Sequence, residues 1–149
     1  MKHGLGPRSL PHLVVSCDGA HVLGAPFPRE LTERECWQLL SAGGVARVAI
    51  TVGALPRIVA VRYLVDGSRL VVRLGDRQEL SRAFDNTVVT VAADSLSDAT
   101  AHGWLVEASG PARLEGLDRW PAVSNEVPAP VVASIEPQLV VGSTYDLGL

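Results

Sequence analysis

The chain has 149 residues, of which 47% are hydrophobic and 19% are charged, a composition typical of one packed domain and not of a disordered chain. Its formal net charge of −3 argues against general nucleic-acid binding, because proteins that grip the phosphate backbone usually carry a basic surplus. No segment approaches the roughly 20 apolar residues that a membrane span needs, so we expect no membrane partner. Cys17 and Cys36 have neither metal-ligand nor disulfide-framework spacing, which favours a cytoplasmic protein without a metal site.

The first part of the chain is rich in glycine and proline, which interrupt regular structure. We therefore predict a flexible N-terminal arm over residues 1–28 and a single folded domain over residues 29–149.

The first predicted helix begins after Thr32. Glu35, three residues on, completes a capping box with Thr32. Gly43 and Gly44 end the helix, because glycine readily adopts the left-handed conformation found past helix ends.

Alternating apolar and polar residues then predict a series of short antiparallel strands joined by tight turns. These strands cover residues 45–52, 57–65, 68–74, 87–93, 104–114 and 138–141. A short helix capped by Asp76 is predicted at 77–84, and a bulge at Gly110 and Pro111. Short antiparallel strands with helices only as plugs are typical of a small barrel, so we predict a mainly β protein, a β-barrel with flanking helices.

The parity of strand residues indicates which arginines share a face of the sheet. If Asp66 and Gly67 form a two-residue hairpin turn, Arg62 lies opposite Val71 and is a diagonal neighbour of Arg73 on the outer face.

The preceding hairpin extends this set of arginines. Pairing Val52 with Arg57 places Arg47 directly opposite Arg62. Because like charges that face each other destabilise a sheet, an anion between them would be stabilising. The sequence therefore predicts a local phosphate site in an otherwise acidic protein.

Signatures of common enzymes are absent from the sequence, which contains no Gly-x-Ser-x-Gly, no His-Glu-x-x-His, no phosphate-binding loop ending in Lys and no Gly-x-Gly-x-x-Gly. We interpret His102 as a structural or surface histidine, and Asp94 and Asp98 as strand-end and turn residues. No catalytic residue is assigned.

Four segments, in their order and spacing, carry a family resemblance. They are residues 31–40 with 44–49, residues 59–67, residues 99–104 running into 106–112, and residues 135–142. Over roughly 31–142 the chain resembles the pyridoxamine 5′-phosphate oxidase-like superfamily of flavin-binding split β-barrels, in its actinobacterial nitroreductase-like branch.

The resemblance implies a six-stranded antiparallel split β-barrel of the FMN-binding type. It also implies a homodimer with flavin mononucleotide (FMN) at the subunit interface, and an oxidoreductase-like activity on an unknown small molecule. A flavin supplies hydride or electron transfer itself, which explains why no acid-base pair stands out in the sequence.

Carried over by position, the resemblance assigns contacts with the ring and phosphate to residues of the second strand, the third strand and the following helix start. The expected cofactor-binding residues are Arg57, Val59, Arg62, Arg73 and Arg77, with Trp120 at the edge of the flavin ring.

The chain departs from the family pattern at three other positions. Leu74 stands where relatives often have Thr, Glu79 where they have Lys, and Leu105 where they have a small polar residue. An acidic residue at the helix start repels a phosphate. The alternative hypothesis is therefore a cofactor-free dimeric barrel with a degenerate flavin site, acting as a binding or structural protein. A deazaflavin or heme in the same groove is a third possibility.

Overall fold

The computed structural model describes residues 28–75, 77–99, 101–116, 120 and 130–147. The arm predicted over 1–28 lies outside these residues except at residue 28, and so does the predicted cap Asp76. Within the described ranges, no helix combines the length and apolar character that crossing a membrane requires.

The described part of the chain consists mostly of β-strands, with two short α-helices and one 3-10 turn. In chain order the elements are β1 (Arg29–Glu30), α1 (Glu33–Leu40), β2 (Gly44–Val52), β3 (Leu55–Asp66), β4 (Arg69–Arg73), a 3-10 turn (Gln78–Leu80), α2 (Ser81–Phe84), β5 (Thr87–Asp94), β6 (His102–Glu115), β7 (Val132–Ile135) and β8 (Leu139–Asp146). The sequence pattern did not predict β1 or β7. β1 has two residues, and every residue of β7 is buried, so neither shows the alternation that marks a half-exposed strand.

Six antiparallel strands close into a barrel in the order β6, β5, β2, β3, β4, β7, and β7 pairs again with β6. The predicted six-stranded antiparallel barrel with flanking helices is confirmed. β8 pairs with β6 outside this ring, and β1 pairs with β8. Closing the ring gives hydrogen-bond partners to backbone groups that an open sheet would leave unpaired at its edges.

The 14-residue strand β6 makes closure possible by serving two partners in succession. It pairs with β8 up to Ser109 and with β7 from Ala112 onward. Gly110 lies at this change of partner, where an added Cβ would be 1.9 Å from the backbone oxygen of Glu136. The predicted bulge at Gly110 and Pro111 is wrong, because β6 stays in continuous register with β5 through both residues.

Inward-facing aliphatic side chains of the strands fill the barrel, and α2 closes one end with the fully buried Phe84. On β2 and β3 the buried residues alternate with exposed ones, as predicted. The capping box of α1 is confirmed: Thr32 N donates to Glu35 Oε2 at 2.8 Å, and Glu35 N donates to Thr32 Oγ1 at 3.3 Å.

Both predicted hairpin registers are wrong by two residues. The turns are Gly53–Ala54 and Gly67–Ser68, so Val52 pairs with Leu55 and Asp66 with Arg69. Gly53, Ala54 and Gly67 have positive φ angles of 54°, 64° and 62°, the backbone that two-residue hairpin turns require at such positions.

A shift of two residues keeps every side chain on its predicted face but changes its cross-strand partner. Arg62 lies directly opposite Arg73, and Arg47 lies opposite Ala60 and not opposite Arg62. Arg47 instead forms an ion pair with Asp94 of β5. The predicted cluster of three strand arginines is therefore a pair, formed by Arg62 and Arg73.

Candidate functional site

A groove of about 280 Å³ lies on the outside of the barrel, where β3 passes the end of β4. Three arginines and several apolar residues line it: Val45, Ala60, Val61, Arg62, Arg73, Leu74, Gly75 and Arg77. No carboxylate is among the described residues that line the groove. The groove therefore combines a concentrated positive charge with an apolar wall.

Arg62 and Arg73 form the charged centre of the groove. They are directly opposed as a hydrogen-bonded pair of the β3–β4 ladder, which sets their Cα atoms about 5.5 Å apart. Arg62 is exposed, whereas Arg73 is half-buried and its Nε is fully buried. Salt bridges among the described residues do not include Arg62. Two guanidinium groups at this spacing repel each other, and an anion placed between them would reverse the sign of the interaction.

The turn after β4 places the third arginine. Gly75 adopts a left-handed φ of 71°, and its carbonyl accepts a 2.7 Å hydrogen bond from Val131 N. Arg77 then reaches back over the turn. Its Nε donates to the Leu74 carbonyl at 3.1 Å and its Nη2 to the Ala60 carbonyl at 2.6 Å.

One edge of β3 is open beside these arginines. β4 pairs only with Arg62–Asp66, whereas β3 begins at Leu55, so in the described structure the first half of β3 pairs with β2 alone. The two-residue turn makes Val52 and Leu55 a hydrogen-bonded pair, and alternation then directs the backbone groups of Ile58 and Ala60 away from β2. The Ala60 carbonyl accepts from Arg77, and the N–H groups of Ile58 and Ala60 and the Ile58 carbonyl face the open edge.

Several exposed apolar residues lie on the outer surface of the sheet next to the groove. A row of directly paired residues crosses five strands and consists of Ile58, Ala49, Thr90, Ser109 and Leu139. We call this row, together with the exposed Val45, Val88 and Val141 on the same side of the sheet, the five-strand face. Ile58 at one end is 73% exposed and Leu139 at the other is 57% exposed. Exposed apolar patches commonly mark interaction sites.

The residues predicted from sequence divide into two groups. Arg62, Arg73 and Arg77 meet in the groove. Arg57, Val59 and Trp120 do not line it. Arg57 is exposed at the rim of the barrel opposite Ile50, Val59 is buried in the core, and Trp120 is half-buried.

Of the three residues at which the sequence departs from its relatives, only Leu74 is among the residues that line the groove. Glu79 is exposed on the 3-10 turn and does not line the groove, and Leu105 contributes to a different pocket, between β6 and β8. The side chain of Leu74 is 1% exposed and belongs to the core. Val45, Ala60 and Gly75 were not predicted as site residues, although strand parity places Val45 and Ala60 on the same outer face as Arg62.

Among the described residues the groove offers cationic and backbone hydrogen-bond donors but no nucleophile. Cys36 lies in the core, and burial raises the pKa of its thiol, with Glu35 adding to the shift. His102 is exposed at the start of β6, where its Nδ1 lies 3.4 Å from Asp146 Oδ1. The site can bind and orient an anionic ligand with an apolar part, so any redox chemistry must come from that ligand.

Residues 32–138 match a family model described as pyridoxamine 5′-phosphate oxidase. The chain belongs to the pyridoxamine 5′-phosphate oxidase family. No curated protein matches this family member.

Solved structures similar to this pyridoxamine 5′-phosphate oxidase family member share its fold at low sequence identity. An FAD binding protein from Mycobacterium smegmatis is 24% identical, with a TM-score of 0.61, 79% of this chain covered and 98% of the other. An FAD-binding protein from Mesorhizobium loti is 21% identical, with a TM-score of 0.60 and coverage of 80% and 99%. An FAD and heme binding protein from M. smegmatis is 15% identical, with a TM-score of 0.61 and coverage of 78% and 73%.

Proposed function

We propose that the protein binds a flavin, FMN by preference, in the groove and on the open edge of β3, and acts as a flavin-dependent oxidoreductase. The observation that carries this proposal is the direct opposition of Arg62 and Arg73 beside an apolar wall and an unpaired strand edge. An FMN molecule has the matching parts: a doubly charged phosphate ester, a flat apolar ring system, and a pyrimidine edge that alternates acceptors with a donor.

The phosphate is assigned to the Arg62 and Arg73 pair. Guanidinium groups bind phosphate oxygens through pairs of charge-assisted hydrogen bonds, which are stronger than neutral ones. The ligand also removes the repulsion between the two arginines, so binding is coupled to the stability of the β3–β4 ladder.

The flavin ring is assigned to the open edge of β3. The N–H groups of Ile58 and Ala60 and the Ile58 carbonyl can pair with the pyrimidine edge of the ring. The exposed side chains of Val45 and Ala60 offer the apolar contact. When bound, the flavin supplies hydride or electron transfer, and the protein orients it.

A second copy of the chain is proposed to complete the site. A groove of about 280 Å³ that is open to solvent cannot enclose a ligand as large as FMN, since binding sites usually bury most of their ligand's surface. The five-strand face adjoins the groove and carries exposed apolar residues at both ends, and interfaces between identical subunits tend to be rich in such residues. We therefore infer a homodimer in which the partner covers the ring.

Similarity to proteins named for FAD binding supports a flavin ligand in general. The position of Glu79 outside the groove weakens one of the two grounds for a degenerate, cofactor-free site, the repulsion between Glu79 and the phosphate; the other ground was Leu74.

The proposal is tested by titrating the purified full-length protein with FMN and with FAD, following flavin fluorescence and visible absorbance. We expect saturable FMN binding, a weaker response to FAD, and a loss of about tenfold or more in FMN affinity for Arg62→Gln, since hydrogen bonds to charged groups contribute about 1.5 to 3 kcal/mol.

The matched control is Arg113→Gln, which removes an exposed strand arginine of β6 outside the groove and should bind FMN like the wild type. Protein that is colourless as isolated and binds neither flavin would refute the proposal.

A further inference from the structure

We infer that Arg77 is a positioning residue: it fixes the strand edge that receives the flavin ring, while Arg62 and Arg73 hold the phosphate. This inference rests on the proposed function and goes beyond it, because it divides the three arginines of one groove between two separate tasks.

The hydrogen bonds of Arg77 carry the argument. A guanidinium group can grip a phosphate through one of its two forks, and the fork formed by Nε–H and Nη2–H is the side-on one. In this structure Nε donates to the Leu74 carbonyl at 3.1 Å and Nη2 to the Ala60 carbonyl at 2.6 Å. The side-on fork is therefore already engaged by the protein's own backbone.

The two carbonyls belong to different parts of the barrel. Ala60 lies on the open edge of β3, and Leu74 lies just beyond the last residue of β4. Where the β3–β4 ladder stops at Arg62 and Arg73, the side chain of Arg77 continues the connection between the two strands by about one residue pair. It thereby fixes the position of Ala60, whose N–H group faces the ligand.

The position of Arg77 in the chain supports the same role. Arg77 directly precedes the 3-10 turn as its N-cap residue, and its side chain makes no capping hydrogen bond to that turn. Arg77 is half-buried, whereas Arg62 is exposed to solvent. A half-buried guanidinium that satisfies two carbonyls is suited to holding backbone in place, and an exposed one beside a groove is suited to meeting an anion.

Lysine cannot replace arginine in this role. Its ammonium keeps the charge but is a single point donor and lacks the planar fork that joins two carbonyls. The charge-preserving change Arg77→Lys therefore separates positioning from simple electrostatic attraction to phosphate.

The test compares the affinities of riboflavin and FMN, which differ only in the phosphate, for the wild type, Arg77→Lys, Arg77→Gln, Arg62→Lys and Arg62→Gln. We expect both Arg77 variants to lose affinity for riboflavin and FMN by the same factor, about tenfold, so that the ratio of the two affinities stays at its wild-type value. We expect Arg62→Gln to lose affinity for FMN but not for riboflavin, which lowers the ratio of FMN affinity to riboflavin affinity. We expect Arg62→Lys, which keeps the positive charge, to keep most of the FMN affinity.

Two outcomes would overturn the positioning role. If the Arg77 variants lost affinity for FMN but not for riboflavin, Arg77 would be a direct phosphate ligand. If they bound both molecules like the wild type, Arg77 would have no part in binding. A wild-type protein that bound neither molecule would refute the proposed function, and the positioning role with it, whereas the first two outcomes leave flavin binding intact.

A second measurement uses the wild-type protein and does not depend on the variants folding. Nuclear magnetic resonance of the arginine Nε–H groups should show slow hydrogen exchange for Arg77 without ligand, and FMN should shift the Arg62 signal more than the Arg77 signal. Fast exchange at Arg77, or an Arg77 shift as large as that of Arg62, would contradict the assignment.

Discussion

Arg62 and Arg73 are like charges that face each other across two hydrogen-bonded strands. Direct cross-strand repulsion of this kind destabilises a sheet by a few tenths to about 1 kcal/mol. An anion held between the two guanidinium groups would offset this repulsion.

Removing one of these charges should stabilise the empty protein. For Arg62→Gln we expect the free energy of unfolding to rise by a few tenths to about 1 kcal/mol, measured by urea denaturation without phosphate in the buffer. Added inorganic phosphate should stabilise the wild type more than the variant. A variant less stable than the wild type would show that Arg62 has a favourable structural role instead.

Gly110 is the residue on which the change of partner along β6 depends. An added Cβ would be 1.9 Å from Glu136 O and 2.9 Å from Pro137 Cα, and these are backbone atoms that cannot move aside cheaply. Gly110→Ala should lower the free energy of unfolding by about 3 kcal/mol or more, the upper range for overpacking. Gly103→Ala is the matched control on the same strand, since its nearest neighbours include the Leu96 and Ser95 side chains at 3.0 Å, and it should cost much less.

At the scale of elements, α1 begins with a reciprocal capping box that the sequence already indicates. The Thr32 backbone N–H and hydroxyl both donate to Glu35, and with Arg29 nearby they lower the pKa of the Glu35 carboxyl. Because these contacts favour the charged form, their contribution to stability is present at neutral pH and is lost as the pH falls through the lowered pKa of Glu35.

This pH dependence can be measured against Glu35→Gln. The difference in unfolding free energy between wild type and variant should be largest at neutral pH and shrink toward zero in acid. Thr32→Ala should cost about 1 kcal/mol at neutral pH, the usual value for an N-cap residue. A wild-type advantage over Glu35→Gln that grew in acid would contradict the assigned pKa direction.

The open half of β3 shows how an exposed strand edge can be protected from unwanted pairing. Pro56 has no N–H to offer a new strand, and Arg57 places a charge on the same segment. We expect the double variant Pro56→Val and Arg57→Val to aggregate faster than the wild type in light-scattering measurements. Arg113→Val, on a strand paired along both edges, should not, and equal aggregation of the two would refute this role for the edge.

At the scale of the whole molecule, the five-strand face leaves apolar residues such as Ile58 and Leu139 exposed to solvent. Its apolar residues lie beside the groove, so the same surface can serve subunit association and ligand enclosure. A proposed homodimer joins these two functions, because dissociation would expose the ligand as well as the apolar face.

This coupling predicts the behaviour of Ile58→Glu. A charge on the apolar residue of this face that lies beside the groove should shift the protein from dimer to monomer in sedimentation or light-scattering mass measurements, and should lower FMN affinity with it. The control is Leu55→Glu, which places the same acid at the nearby hairpin tip, where Leu55 is 68% exposed. A wild-type protein that is monomeric at micromolar concentration would refute the dimer.

The sequence by itself determined the barrel class, most strand positions, the capping box of α1 and the face on which Arg62 and Arg73 lie. These features follow from local patterns, since side-chain alternation and capping involve residues close together in the chain. A register error of two residues leaves them unchanged.

Only the tertiary structure decided which residues meet. In the structure Arg62 and Arg73 are directly opposed and not diagonal neighbours. Arg47 forms an ion pair with Asp94, and Arg77 donates a hydrogen bond to the Ala60 carbonyl. The structure also revealed β7, whose four residues are all buried and so show no alternation. These contacts link residues far apart in sequence, and they depend on turn geometry and barrel closure, which no local pattern encodes.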